Sequence, residues 1–311
     1  MADRRNDMQS KIILITGGSS GIGLATAINL SAQGAKIIVV AEKKDEILNA
    51  LKTIAKKTNN IPDYYITDLS SQKEIYALAY AIKEKYDHID VLINNAGGVF
   101  STFQYTVDGL EKTIALNHFA PYLLSLLLLD VLSKSVEARI INVTSRSHYD
   151  GRINFDSFTK KQHITFKTWI SDFMKARFSL KILYAFMGYF LMEAYAQSKL
   201  ANVIFTIELA ERLKEKNITV NSVHPGLVRT SIGRRETGII YRSFWCITSW
   251  LVGIDAEQGA HTSVYLASAP ELEGVTGKYF ENDRIVAPAT LALNKDLREL
   301  VMNKTKELIR L

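Results

Sequence analysis

Five short β-branched runs stand along the chain: Ile12 to Thr16, Lys36 to Ala41, Asp63 to Thr67, Val91 to Asn94 and Arg139 to Thr144. Each is followed by a stretch in which apolar residues recur at helical spacing, and a sixth run, Thr219 to Val223, follows a long amphipathic stretch. The predicted helices are Leu24 to Gln33, Asp45 to Lys57, Gln72 to Tyr86, Gly109 to Ser133 and Ala194 to Lys216. Strands alternating with helices imply right-handed crossovers, which lay the strands parallel and cover both faces of the sheet. No Pro/Gly/Ser-rich linker divides the chain and no internal period shows, so the expectation is an α/β doubly wound parallel sheet in one domain, 1–311.

Composition narrows the function classes. Of 311 residues 47% are hydrophobic and 23% charged, enough apolar material for a full core, which excludes disordered and fibrous chains. Lys and Arg number 38 against 32 Asp and Glu, a net charge of +6 without clustering, so no nucleic-acid partner is expected. The single cysteine, Cys246, cannot close an intrachain disulfide, and no Cys/His group has metal spacing. Met1 to Lys11 is polar, and the longest apolar run, Ile182 to Met192, falls short of the roughly 20 residues a spanning helix needs. A cytoplasmic protein without an N-terminal anchor is expected, with peripheral membrane contact left open. The sequons at Asn142, Asn217 and Asn303 are expected by chance; Asn142 sits inside a predicted strand.

Chemistry concentrates at the predicted strand ends. The first strand runs into Thr16-Gly-Gly-Ser-Ser-Gly-Ile-Gly23 and then a helix beginning at Leu24. Glycines at 17, 21 and 23 let the backbone turn tightly and approach a pyrophosphate, which a helix N-terminus stabilises through its free N–H groups. The fourth strand ends in Asn94-Asn-Ala-Gly97, small residues at a carboxyl end that would line the ligand crevice. Asp68, after the third strand, suits an adenine amino group, or equally a helix cap. Tyr195-Ala-Gln-Ser-Lys199 puts a phenol and an ammonium one turn apart on a helix face. A cation beside a phenol favours the phenolate, so Lys199 is expected to lower the Tyr195 pKa into the range of an acid/base. Ser145, at the end of the fifth strand, supplies a hydroxyl to hold a carbonyl oxygen beside that phenol, with Ser147 a weaker candidate.

Taken in order, these motifs resemble the short-chain dehydrogenase/reductase family over nearly the whole chain, Lys11 to about Phe280. The resemblance implies a Rossmann fold and an oxidoreductase of CH–OH groups using NAD(P). It implies cofactor contacts at Gly17, Ser19, Ser20, Gly21, Ile22, Gly23, Glu42, Lys43, Asp68, Leu69, Asn94, Ala96 and Gly97. Tyr195, Lys199, Pro225, Gly226, Val228 and Thr230 complete that set. Asn117, Ser145, Tyr195 and Lys199 fall on the family's catalytic positions. By that chemistry Tyr195 exchanges a proton with the substrate oxygen and Lys199 holds the nicotinamide ribose. Ser145 orients the oxygen, and Asn117 holds a water connecting Lys199 to solvent. Thr106-Val-Asp-Gly-Leu110, Asn117-His118, Tyr195 to Asn202, His224-Pro-Gly226 and Gly277-Lys-Tyr-Phe280 are similar to the retinol dehydrogenase-like and WW-domain oxidoreductase-like branch. That branch implies a small lipophilic alcohol or carbonyl as substrate. A relative acting on small polar carbonyls and a non-catalytic dinucleotide-binding scaffold are the alternatives.

Two departures stand out. The spacing of 50 positions between Ser145 and Tyr195 is roughly twice that of the branch. The extra residues, 167–193, are expected to form an apolar helical flap next to a substrate lid at 231–256. Membrane contact and a homo-oligomer contact are both open for that flap. The second strand ends Ala41-Glu42-Lys43-Lys44, where Glu42 would repel a 2′-phosphate and the lysines would attract one, so NAD against NADP is left open. Replacing Glu42 with Arg is expected to shift the NADPH/NADH ratio of kcat/KM by about tenfold toward NADPH, because it exchanges repulsion for a charge-assisted hydrogen bond. An unchanged ratio would show that position 42 does not face the ribose.

Overall fold

The computed structural model describes residues 8–100, 103–160, 189–226, 228 and 254–309. Its centre is one eight-stranded sheet: β1 (Ile12–Thr16), β2 (Lys36–Ala41), β3 (Asp63–Ile66), β4 (Val91–Asn94), β5 (Ala138–Val143), β6 (Ile218–His224), β7 (Tyr279–Glu281) and β8 (Arg284–Val286). The strand order is β3-β2-β1-β4-β5-β6-β7-β8, parallel throughout except for the final β7–β8 hairpin. That hairpin turns through Asn282 and Asp283, both at positive φ (48° and 62°), a pair of residue types that accepts the left-handed region readily. The inner strands β4 and β5 are buried along their whole length, as continuous apolar runs in a parallel sheet require. Edge strand β3 alternates between half-buried and exposed positions.

Helices cover both faces. Against one face lie α1 (Gly21–Ala32), α2 (Lys44–Thr58) and, late in the chain, α8 (Ala256–Ser268), enclosing Ile13, Ile15, Val39, Ile93, Ile141 and Phe280. Against the other lie α3 (Gln72–Lys85), α5 (Ala120–Leu127), α7 (Tyr189–Arg212) and the C-terminal α10 (Lys295–Leu308), around Leu14, Ile38, Leu92, Ile140 and Val220. Local signals agree with the packing. α2 buries Ile47, Ala50, Leu51 and Ile54, opens with Asp45 and Glu46, closes with Lys56 and Lys57, and stops at Asn59 in the left-handed region. The Ser71 hydroxyl caps α3 by accepting from the Glu74 N–H at 3.4 Å.

The alternating α/β pattern thus folds as expected, with three differences. The predicted helix Gly109 to Ser133 is broken into α4 (Lys112–Ile114), a π-helical turn Ala115–Phe119, α5 and α6 (Leu129–Leu132). Pro121 accounts for the break: it has no N–H to return to the Asn117 carbonyl, and its ring crowds that carbonyl. The Ala120 N–H accordingly reaches back five residues to the Ala115 carbonyl. Second, α7 is already helical at Tyr189, ahead of the expected start at Ala194, which sets Tyr195 well within the helix. Third, α8, β7, β8, α9 (Thr290–Leu293) and α10 were not among the predicted elements. Most of the expected flap, 167–188, and most of the expected lid, 231–253, lie outside the described residues.

Phe205 on α7 is fully buried, with its ring 5.2 Å from Tyr122 and 6.5 Å from His118. Phe205→Ala is expected to lower stability by about 3–5 kcal/mol through lost burial and a residual cavity, measured by urea unfolding. A loss below about 1 kcal/mol would mean that α7 does not pack on α5 in this way.

Candidate active site

The chain leaves β1 toward β2 and β3, then returns to build β4 to β7 on the other side. The loops after β1 and β4 therefore part at their carboxyl ends and open a crevice, the place where sheets of this topology take ligands. After β1, Gly17 and Gly21 adopt φ of +64° and +53°. A Cβ on Gly23 would run into the Gly17 carbonyl oxygen and the Asn95 amide. Only glycines fit this turn, and it delivers Ser19, Ser20 and Ile22 to the start of α1. Ser20 precedes α1 in extended conformation, its side chain makes no cap, and no acidic residue stands in the first turn. The opening N–H groups of α1 and its dipole are thus available to an anion.

Asn95 braces that turn. Its Nδ2 donates to the carbonyls of Thr16 (2.8 Å) and Gly17 (3.2 Å). In return the N–H groups of Asn95 and Ala96 donate to the Thr16 hydroxyl, both at 3.0 Å. Asn95 was absent from the predicted site, although it stands within the Asn94 to Gly97 motif that signalled it. Its neighbour Asn94 is placed differently from expectation. The Asn94 side chain is buried in the core and donates to Ser125 Oγ (3.0 Å) and Asn142 Oδ1 (2.9 Å), because the strand alternation turns it away from the crevice. Asn142 in turn donates to Thr206 Oγ1 at 2.9 Å and is fully buried.

At the outer part of the crevice, Asp68 accepts from the Ser70 N–H (2.8 Å) in a tight turn, while Ser71 takes the helix cap. Leu69 is buried and, with Thr16, Asn94, Ala96 and Leu116, lines a small void beneath the β1 and β4 loops. Glu42 and Lys43 are exposed just past β2, and Lys43 pairs with Glu46 at 3.5 Å.

Farther along the crevice the structure brings Ser145, Tyr195 and Lys199 together. Ser145 Oγ bonds to Ser147, 3.2 Å from its Oγ and from its N–H, and the Ser145 hydroxyl stands close enough to the Tyr195 phenol to favour its ionised form. Lys199 Nζ lies 5.5 Å from the Tyr195 ring centroid and donates to the Val143 carbonyl at 3.0 Å. Burial dominates both ionisations. It pushes Tyr195 up to about 12, with the Ser145 hydroxyl acting in the opposite sense, and pulls Lys199 down to about 8. The expectation that Lys199 depresses the Tyr195 pKa is therefore corrected for this structure, where desolvation of the phenolate outweighs a cation that is itself desolvated.

Asn117 sits in the π-helical turn below. Its Oδ1 accepts from the Gly98 N–H (2.8 Å), and Nδ2 donates to the Gly98 carbonyl and to Ser198 Oγ, both at 3.0 Å. Three of the four hydrogen-bonding positions of the amide are thus spent inside the protein, so the side chain clamps the Gly97–Gly98 turn. A Cβ on Gly97 would lie 2.9 Å from Asn117 Oδ1 and 3.5 Å from Lys199 Nζ, which places that turn against the ammonium. Gly226, after Pro225, takes φ +85°, and Val228 bridges in parallel to Ile254 and is buried against Gly259. Thr230 lies outside the described residues. Ser198 and His148, which no sequence signal marked, touch Asn117 and Ser145 respectively.

A lysine held near pKa 8 destabilises the fold wherever its unfolded form would be charged. That cost is complete below about 8 and vanishes above the unfolded value of 10.5. Between pH 7 and pH 11, wild type is expected to gain about 3 kcal/mol of unfolding free energy relative to Lys199→Met. Parallel pH profiles for the two proteins in urea would place the ammonium in solvent.

The short chain dehydrogenase family pattern matches residues 11–159 and 182–237. Retinol dehydrogenase 13 of Homo sapiens is 35% identical over 97% of this chain and 85% of its own length. A chloroplastic short-chain dehydrogenase, TIC 32 B of Brassica napus, is 33% identical over 97% and 90%. An uncharacterized protein from Mycobacterium paratuberculosis shares the fold with a TM-score of 0.73 at 24% identity, covering 99% of this chain and 96% of that one. A short chain dehydrogenase from Shigella flexneri, complexed with NADP, superposes with a TM-score of 0.63 at 21% identity, covering 90% and 100%. The chain therefore belongs to the short-chain dehydrogenase family, as a retinol dehydrogenase-like oxidoreductase of CH–OH groups.

Proposed function

We propose that the protein interconverts a lipophilic alcohol and its aldehyde or ketone with NAD(P), using Tyr195 as the acid/base. The observation that carries this reading is the approach of Ser145, Tyr195 and buried Lys199 to one another on the crevice that the glycine turn opens. The glycine turn and the uncapped start of α1 fit a pyrophosphate, since any Cβ at position 23 would fill the cradle. Gly17, Ser19, Ser20, Gly21, Ile22 and Gly23 would hold that group. Asp68 and Leu69 would hold the adenine, Glu42 and Lys43 its ribose, and Ala96, Gly97, Pro225, Gly226 and Val228 the nicotinamide end. When bound, the dinucleotide supplies or accepts the hydride.

The chain's own residues handle the proton. The Ser145 hydroxyl would donate to a substrate carbonyl oxygen and orient it, so that Tyr195 delivers its proton to that same oxygen. Lys199 would hold the nicotinamide ribose through its ammonium, which when charged opposes the burial that keeps Tyr195 protonated. Pro121 withholds the usual helical donor from the Asn117 carbonyl, which leaves that oxygen to hold a water linking Lys199 to solvent. A lipophilic substrate is supported by the retinol dehydrogenases among the relatives and by the aromatic composition of the 178–192 and 241–254 stretches. Among the described residues no helix is long and apolar enough to cross a membrane.

Consumption of NADH and NADPH against retinal, a fatty aldehyde, a steroid ketone and a sugar ketone tests the substrate class; turnover confined to the sugar ketone overturns it. Tyr195→Phe is expected to lower kcat by about a hundred- to ten-thousandfold with dinucleotide affinity nearly intact, because the transferable proton goes and the ring still packs. Lys199→Ala should damage both kcat and dinucleotide affinity. Comparable turnover in Tyr195→Phe removes the phenol from its role, and unchanged affinity in Lys199→Ala removes the ribose contact.

A further inference from the structure

His148 lies three residues beyond Ser145 and is fully buried. Its Nδ1 is 2.7 Å from the Ser145 carbonyl oxygen, while its Nε2 is 3.1 Å from the Ala289 N–H. The second contact settles the tautomer. A backbone N–H can only donate, so Nε2 is the acceptor, and the proton sits on Nδ1, where it meets a carbonyl that can only accept. A protonated ring would put two N–H groups head to head at Ala289; burial holds the imidazole below its ordinary pKa and so keeps it neutral. The ring is also wedged between Tyr149 and Tyr279, with centroids 4.0 and 4.6 Å away. The Tyr149 hydroxyl reaches the same C-terminal segment, donating to the Ala287 carbonyl at 2.6 Å.

We propose that His148 is a positioning residue for Ser145: as the neutral Nδ1–H tautomer it bridges the Ser145 carbonyl to the Ala289 N–H, so that the segment between β8 and α9 fixes the serine hydroxyl that meets Tyr195. This rests on the reading of Ser145 as the group that orients the substrate oxygen. Ser145 occupies a loop that changes direction at the end of β5, and its backbone is extended (φ −156°, ψ 153°). The hydroxyl's own bonds run to Ser147 of the same loop, while the His148 bridge, held on the Ser145 carbonyl, ties the loop to a separate element. Misplacing such a hydroxyl by a fraction of an ångström weakens the transition state more than it weakens binding.

Each half of the bridge can be removed alone. Ala289 has φ −52°, within the range of proline, so Ala289→Pro deletes the donor N–H with the backbone preserved. His148→Asn places an amide N–H near the former Nδ1 and nothing near Ala289. Each is expected to lower kcat about tenfold on the preferred carbonyl substrate, with KM for NAD(P)H unmoved. The deciding readout is a double-mutant cycle with Ser145→Ala. If the bridge acts through Ser145, Ala289→Pro loses its effect on kcat once the hydroxyl is gone. An equal fractional loss in both backgrounds, or no loss in either, overturns the bridge while a lowered kcat in Ser145→Ala still supports the site reading. An unchanged kcat in Ser145→Ala overturns that reading and the bridge with it. Should Ala289→Pro fail to fold, His148→Asn enters the same cycle with the same criteria.

Discussion

Where two parallel strands part, their last backbone groups lose the ladder that paired them, and buried polar groups left unpaired are costly. β1 and β4 part at Thr16 and Asn94, and everything in the crevice depends on how that gap is closed. Here the closure is reciprocal. The Thr16 hydroxyl receives two N–H groups from the β4 loop, and the Asn95 amide returns two hydrogen bonds to carbonyls of the β1 loop. The knot holds the glycine turn open at the start of α1 and leaves no room for a side chain at position 23. An anion site built from backbone N–H groups needs a rigid mouth, and this knot supplies it.

The second constraint is electrostatic. Lys199 is buried beside the half-buried Tyr195, with a carbonyl oxygen as its hydrogen-bond acceptor. Such a cation works against stability, and its persistence is the mark of a site in which local rules of folding yield to chemistry. Burial pulls both groups toward neutrality, lifting Tyr195 to about 12 and lowering Lys199 to about 8, which still leaves the ammonium charged at pH 7. The Ser145 hydroxyl moves the phenol the other way, which ties proton transfer to the placement of that serine.

Placement in turn draws on the end of the chain. His118, next to Asn117 in the π-helical turn, lies 2.8 Å from Thr305 on α10. The Thr305 hydroxyl spends its proton on the Val301 carbonyl, so the histidine is the donor. His148 makes the corresponding link from Ser145 to Ala289, and Arg298 of α10 pairs with Glu208 and Glu211 of α7, the helix that carries Tyr195 and Lys199. The last elements of the fold thus grip the three loops and helices that bear the chemistry.

Periodicity alone determined the alternating helices and strands, because burying one stripe of a helix and both faces of a parallel strand leaves a strong imprint on residue order. Glycines 17, 21 and 23 and the Tyr195/Lys199 spacing were legible for a similar reason: each acts through backbone freedom or one helical turn, both local properties of sequence. The π-helical break at Pro121, the inward turn of Asn94, the Asn95 brace and the late strands β7 and β8 were not. Neither was the direction of the Tyr195 pKa, read from sequence as lowered by Lys199 and set in the folded chain by burial. Hydrogen-bond partners such as His148 and Ala289 lie 141 residues apart. Desolvation likewise depends on everything that surrounds a group, so both are decided only when the sheet has brought distant segments together.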